Sequence, residues 1–304
     1  MQTDSLIKKR ILIIGSNGML GQRLTEFYSS KNKVELMTAS AEDDSFFPEI
    51  NYEKINLTDK KQVKKLISNF YPDVIINAAA YTNVDKSEIE KELAWGINVY
   101  GVEYIAKYAS SIDAKVIHIS TDYIFDGKSG PYEENHRPNP IGYYGRSKLA
   151  GENVLKCSNC NYVILRTNVL YGPAKFGRPD FVKWVVNSLN EKQNIKIVAD
   201  QINNPTYIDD LVQAVSKVGE YNKTGIYNIG GPEFLSRYDF TLRIADFFEL
   251  DKNLISRITT AELNQTAKRP LNSGLIILKA ESEMGYKPHS IEDTFLLMKK
   301  ELKL

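Results

Sequence analysis

Short apolar runs alternate with amphipathic stretches through the first half of the chain. RILIIG, residues 10–15, reads as a strand that leads into a helix over Gly18–Ser30. VELMTAS, residues 34–40, reads as a second strand. Over Lys60–Phe70, Val63, Leu66, Ile67 and Phe70 fall at i, i+3, i+4 and i+7, which is one face of a helix. Thr58 or Asp59 suits its N-cap. DVIINAAA then reads as a buried strand, followed by a long helical region from about Ser87 to Ser110. AKVIHIS and YVILRT supply two more strands. These runs lack an in–out alternation, as strands do when helices cover both faces. The βαβα rhythm predicts an α/β fold with a doubly wound parallel sheet. After Thr167 proline and glycine punctuate the chain, in YGPAKFGRP, NNPTY, NIGGPE, KRPLN and YKPHS. A smaller, less regular region is expected there, although GIYNIGG has the character of a strand returning to the main sheet.

Composition narrows the partners. Hydrophobic residues make up 42% and charged residues 25%, ordinary globular usage. The 304 residues correspond to about two domains. Lys plus Arg number 39 against 38 Asp plus Glu, a formal charge of +1. That balance argues against a nucleic-acid or anionic-membrane partner and leaves room for a local basic pocket. No stretch approaches the ~20 apolar residues of a membrane span. The start, MQTDSLIKKRILIIGSNG, has a basic run before only four apolar residues, too few for the apolar core of a signal peptide. A cytoplasmic protein is expected. Cys157 and Cys160 form a CxxC, but a zinc site needs about four ligands and His118, His136 and His289 are distant in sequence. A redox pair opens a helix after a strand, whereas this pair closes a helix before one, so both read as structural thiols. No set of metal ligands stands out.

Candidate chemistry begins at Gly15-Ser16-Asn17-Gly18-Met19-Leu20-Gly21, a GxxGxxG turn between the first strand and the first helix. In that setting glycines let the backbone turn tightly and approach a pyrophosphate, and the helix N-terminus offers N–H groups to it. The context predicts a dinucleotide site. Residues 1–167 then form a dinucleotide-binding Rossmann domain, with returns to it near 203–229, and 168–304 a substrate-binding domain. The Lys-Ser/Thr ending of a nucleoside triphosphate P-loop is absent. The second strand ends Thr38-Ala39-Ser40 without an acid for the adenine ribose; Glu35 is early and Glu42 slightly late, so NADH and NADPH both stay open.

Tyr144 and Lys148 lie four apart in YYGRSKLAGE and share a helix face, while Tyr143 has Ser147 at that offset. A free phenol has a pKa near ~10, and a neighbouring ammonium lowers it. Such a tyrosine can donate a proton to a carbonyl oxygen whose carbon receives hydride. Among 18 tyrosines a YxxxK arises easily by chance, and position carries the argument. Thr121, 23 residues earlier at the end of KVIHIS, would sit at the carboxyl edge of the sheet, where ligands bind, and could hydrogen-bond the same oxygen.

Together the glycine turn, NAAAYTNVDKSE, STDYIFDG and YYGRSKLAGE resemble the extended short-chain dehydrogenases/reductases, and more narrowly the dTDP-4-dehydrorhamnose reductase group. RTNVLYGP, DQINNPTYIDDLVQAV and RPLNSGLIILKAESEMGYKP extend the resemblance nearly end to end. It implies NADPH- or NADH-dependent reduction of a 4-keto sugar carried on a nucleotide diphosphate, with a homodimer as an open option. Thr121, Tyr144 and Lys148 would be the catalytic set. Gly15, Gly18, Met19 and Leu20 would face the pyrophosphate, Leu57 the adenine side, and Ala78, Ala79, Ala80 and Ser120 the cofactor channel. Asn98 would support the site from its helix. Thr82, Val84, Thr121, Asp122 and Tyr123 would lie toward the sugar. Sugar-nucleotide 4,6-dehydratases are disfavoured, because they carry Asp-Glu after the strand-end threonine and this chain has Asp122-Tyr123. One departure is Arg166-Thr167-Asn168-Val169, where many reductases have RTSW with an aromatic on the sugar. Phe176, Arg178 and Phe181 are candidates to replace it. Two other functions fit the resemblance: a nucleotide-sugar epimerase, which would consume no cofactor, and a binding subunit like the regulatory subunit of methionine adenosyltransferase.

Overall fold

The computed structural model describes residues 8–177 and 179–302. β1 (Lys9–Ile14) divides its side chains between two cores, Ile11 and Ile13 on one face, Leu12 and Ile14 on the other. This two-residue period with apolar groups on both sides is why the strand reads as one unbroken run. α1 (Met19–Ser29) covers the first face with Leu20 and Leu24. β2 (Val34–Ser40) and β3 (Asn51–Lys54) follow. α2 (Lys60–Phe70) covers the second face with Val63, Leu66, Ile67 and Phe70. Its N-cap is Asp59, whose carboxylate accepts from the backbone N–H groups of Lys61 and Gln62 at 2.8 and 3.3 Å. After β4 (Val74–Asn77), the expected single helix is broken into α3 (Lys91–Trp95), a π-helical turn over Gly96–Tyr100, and α4 (Gly101–Ser110). β5 (Lys115–Thr121), α5 (Tyr143–Lys156) and β6 (Asn161–Thr167) complete the first half.

The second half is built of shorter pieces: β7 (Leu170–Tyr171), α6 (Phe181–Asn190), β8 (Ile195–Val198), β9 (Ile202–Asn203), β10 (Thr206–Tyr207), α7 (Ile208–Glu220), β11 (Gly225–Asn228), β12 (Leu235–Ser236) and α8 (Arg237–Phe247). β13 (Ile255–Ile258), α9 (Thr260–Leu263), α10 (Leu278–Met284) and α11 (Ile291–Leu302) end it. The main sheet has seven strands in the order β3-β2-β1-β4-β5-β6-β11. Every pairing in it is parallel. β11, from GIYNIGG, lies outside β6, while β3 forms the opposite edge from NYEK, a segment with no apolar run to betray it.

The strand order reverses between β1 and β4, and open parallel sheets hold ligands in the crevice at such a reversal. The turn after β1 and the end of β5 both open onto that edge. One core runs from Leu24 of α1 through Leu211 and Val215 of α7 to Phe240 of α8 and Phe295 of α11, so the late helices pack on the early sheet. Among the described residues, no helix is long and apolar enough to cross a membrane.

Candidate active site

The tight turn after β1 depends on two glycines. Gly15 adopts φ +87°, a conformation that side chains disfavour, and a Cβ there would stand 2.6 Å from the Ala79 backbone nitrogen. A Cβ on Gly21 would lie 2.0 Å from the Gly15 carbonyl oxygen, so α1 can start this close only with glycine there. At Gly18, the N-cap of α1, no side chain caps the helix, and its first turn holds no acid. The first N–H groups of α1 therefore face the crevice without a side-chain acceptor, a donor set suited to a pyrophosphate.

The crevice is a cleft of about 1190 Å³. That exceeds an ordinary small-ligand pocket and gives room for a dinucleotide and a second ligand. Its walls bring together Gly15, Gly18, Met19, Leu20, Gly21 and Leu57 with Ala78, Ala79, Ala80, Thr82 and Val84. Ser120, Thr121, Asp122, Tyr123, Tyr144 and Lys148 line the same cleft. Three expected site residues lie off its wall. Ser16 is fully buried, and Asn17 donates to the Glu42 carboxylate at 3.3 Å and to the Asp44 carbonyl at 2.9 Å. Asn98, in the π-helical turn, accepts from the Tyr81 N–H at 2.8 Å and donates to the Ser147 hydroxyl at 2.9 Å. It ties the loop after β4 to α5, a supporting position.

α5 aims Tyr144 and Lys148 into the cleft and keeps Tyr143 out of it. The Tyr143 backbone N–H donates to Glu88 at 2.7 Å, and its ring leans on Trp95. Spacing alone does not single out Tyr144, since Lys175 follows Tyr171 by four. Tyr171, however, lies on β7 with its hydroxyl bonded to Thr294, and Lys175 pairs with Glu26. Burial holds the Tyr144 phenol well above its ordinary pKa, the Thr121 hydroxyl draws it down, and the Asp122 charge adds to the rise. Lys148 is not among the groups that shift it, contrary to the expected lowering, and the phenol stays protonated at neutral pH. Burial also pushes the Lys148 ammonium down to about 8, against an upward pull from Glu152 one turn on. Its Nζ donates to the Ile119 carbonyl at 2.7 Å and lies 3.4 Å from His118 Nε2. His118 is buried beside that ammonium, and both effects keep the imidazole neutral.

Toward the second half, Thr121 Oγ1 donates to Asp122 at 3.0 Å, and the other Asp122 oxygen accepts from Ser273. Burial pushes Asp122 up to about 6, opposed by those hydrogen bonds and by Arg237. Tyr123 meets Tyr144 edge to face at 5.8 Å. No carboxylate therefore occupies the position where a dehydratase needs its glutamate. Thr167, Asn168 and Val169 line the cleft where the RTSW aromatic was expected. Asn168 donates to Asn204 Oδ1 at 2.8 Å, and Asn204 donates to the carbonyls of Gly231 and Leu275 while also accepting from the Leu275 N–H. Of the three proposed substitutes for the aromatic, Phe176 and Phe181 do not line the cleft. Phe176 stacks on Phe46, Phe181 packs against Phe240, and Arg178 lies outside the described residues. The residue from α8 that does line the cleft is Arg237, whose guanidinium rests over the Phe181 ring at 4.7 Å. The sequence offered no motif for it. Glu42, set aside for its spacing, also lines the cleft near the glycine turn, together with Lys54 and Lys65. Cys157 is exposed and Cys160 buried, both free, and burial raises the Cys160 thiol to about 11. Among the described residues no cluster of side chains could hold a metal.

Comparison with known proteins agrees with this architecture. The chain is 37% identical to dTDP-4-dehydrorhamnose reductase of Aggregatibacter actinomycetemcomitans over 291 residues, 92% of this chain and 94% of that one. It is 32% identical to methionine adenosyltransferase 2 subunit beta of Xenopus tropicalis, over 90% of this chain and 82% of that one. A crystal structure of dTDP-4-dehydrorhamnose reductase from Bacillus anthracis in complex with NADP superposes with a TM-score of 0.84 at 32% identity, covering 97% of this chain and all of the other. The model of the RmlD substrate binding domain family matches residues 9–303. With a match of that extent over this fold and this cleft, the chain belongs to the RmlD substrate binding domain family, a group of the extended short-chain dehydrogenases/reductases.

Proposed function

We propose that the protein is an NAD(P)H-dependent reductase of a nucleotide-linked 4-keto sugar, with dTDP-4-dehydrorhamnose reduced to dTDP-rhamnose as the leading substrate pair. The observation that carries the reading is the convergence of Thr121, Tyr144 and Lys148 on one cleft with the unclaimed N-terminus of α1. When bound, a reduced nicotinamide supplies hydride to the carbonyl carbon. The chain's own residues do the rest. The buried neutral phenol of Tyr144 donates the proton to the carbonyl oxygen. Thr121 turns its hydroxyl from Asp122 to hold that oxygen. Lys148, fixed by the Ile119 carbonyl on the same cleft, presents its remaining ammonium donors to the ribose of the nicotinamide. Both reactants of such a reaction are intracellular metabolites, so the reading makes the enzyme cytoplasmic.

The test offers purified protein a panel of nucleotide-linked 4-keto sugars with NADH or NADPH and follows loss of nicotinamide absorbance. Tyr144→Phe is expected to lower kcat by about 10²–10⁴-fold, the usual worth of a positioned acid. Cofactor affinity should change little. Near-full activity in Tyr144→Phe would sink its assignment. The likeness to a methionine adenosyltransferase beta subunit favours a second reading, a binding subunit. Failure to reduce every keto sugar, with copurification of a synthetase, would select it.

A further inference from the structure

Arg237 is the only arginine on the cleft wall among the described residues, and it has no carboxylate of its own. Three other arginines near the second half are committed to carboxylates. Arg166 is paired with Glu152, Arg269 with Asp85, Arg243 with Glu233 and Glu292. The acid on the wall whose charge acts on Arg237 is Asp122, and both of its oxygens accept from hydroxyls, those of Thr121 and Ser273. Lys148, the other cation at this end, is directed to the Ile119 carbonyl. The N-terminus of α8 does not compete for an anion, because Ser236 caps it by accepting from the Asp239 N–H. What holds Arg237 is the face of Phe181, which orients a guanidinium without neutralising it. Its fork of donors is left to whatever enters the cleft, and planar guanidinium donors suit phosphate oxygens best.

From this arrangement we infer that Arg237 is the receptor for the substrate's anionic group, taking the diphosphate that links sugar to nucleoside. This rests on the reading of the substrate as a nucleotide-linked sugar and adds the residue that recognises the link. The position is consistent with the chemistry. Arg237 lines the same cleft as Thr121, Tyr144 and Asn168, and its charge acts on Asp122 and Tyr123, which follow Thr121 in the chain. It also accounts for a site without the RTSW aromatic. Charge on the diphosphate, read by Arg237, replaces stacking on the sugar as the grip on the substrate.

Binding of thymidine diphosphate, thymidine and inorganic pyrophosphate is measured by titration calorimetry on the NADPH-saturated protein, for wild type, Arg237→Met and Arg237→Lys. Arg237→Met should weaken thymidine diphosphate and pyrophosphate by about 10–100-fold, the worth of a charge-assisted contact. Thymidine and NADPH affinities should stay within about threefold, and Arg237→Lys should fall between, with charge kept and the fork lost. NADPH affinity doubles as the check on folding. Equal binding of thymidine diphosphate by wild type and both variants overturns the inference, as does a loss shared equally by thymidine. If wild type binds neither thymidine diphosphate nor thymidine, the keto-sugar reading itself fails. Pyrophosphate then decides alone: a loss confined to the variants keeps Arg237 as an anion receptor, and anything else removes it.

Discussion

Replacing Glu152 by Gln should damage stability and chemistry together. Glu152 is fully buried on α5, and Arg166 on β6 is 1% exposed. Arg166 donates to both carboxylate oxygens, at 2.9 and 2.8 Å, and Ser120 adds a third bond at 2.7 Å. Burial alone would raise the carboxyl pKa, but Arg166, Ser120 and Lys156 outweigh it and hold the group below the usual carboxylate range. In Gln, the amide N–H₂ faces an Arg166 N–H whichever oxygen it replaces, and Arg166 is left a buried charge without its counter-ion. Breaking a buried pair this way costs about 3–5 kcal/mol. For a chain of this size each kcal/mol is worth roughly 2–4 °C, so the melting temperature should fall by about 6 °C or more. The sign with pH also follows. A carboxyl with a depressed folded pKa contributes stability that is full above its unfolded value of about 4.3 and is lost as pH falls through the folded value, so wild type and variant should converge in acid. Glu152 also raises the Lys148 pKa, so its loss should move the alkaline limb of the rate profile to lower pH. Calorimetric melts at pH 7 and pH 4 and a pH–rate series measure both. A variant that melts within about 1 °C of wild type at pH 7, with an unmoved alkaline limb, would refute the account of this pair.

Two further outcomes follow from the same geometry. In wild type, burial sets the Lys148 ammonium near pH 8, so kcat/KM should be full below that value and decline as pH rises through it; a flat profile to pH 9.5 would remove the charge from the mechanism. Gly15→Ala should strain the turn against Ala79 and weaken NADPH by about 10-fold or more, an expectation from a disfavoured φ of +87° costing of order 1–3 kcal/mol; fluorescence titration of NADPH checks it, and wild-type affinity would count against the tight-turn argument.

Much of the fold was legible because local chemistry and burial agree. The alternation of Ile11, Leu12, Ile13 and Ile14 between two apolar faces made β1 readable as a covered strand, and Asp59 before an amphipathic run marked the start of α2. Thr121, Tyr144 and Lys148 could be found because each sits at a fixed place in a strand or helix that opens on one crevice. β3 escaped because an edge strand with half-exposed polar residues has no apolar signature. The break at Gly96–Tyr100 escaped because its residues keep a helical pattern while the hydrogen-bond register slips by one. Arg237 escaped for a different reason. Its place on the wall depends on how α8 folds back over the sheet, and short-range spacing carries no trace of that.

The junction at Asn204 has a bearing on how the protein ages. Its amide nitrogen donates to Gly231 and Leu275, and its oxygen accepts from Asn168 and the Leu275 N–H, so three distant segments meet on one side chain. Conversion to aspartate would turn the carboxylate toward two carbonyl oxygens in a buried setting. Spontaneous deamidation starts when the backbone nitrogen of the next residue loses its proton and attacks the side-chain carbonyl. That residue is Pro205, which has no N–H to lose. The most interconnected amide beside the cleft is thereby shielded, by its neighbour's ring, from the commonest slow chemical damage an asparagine suffers.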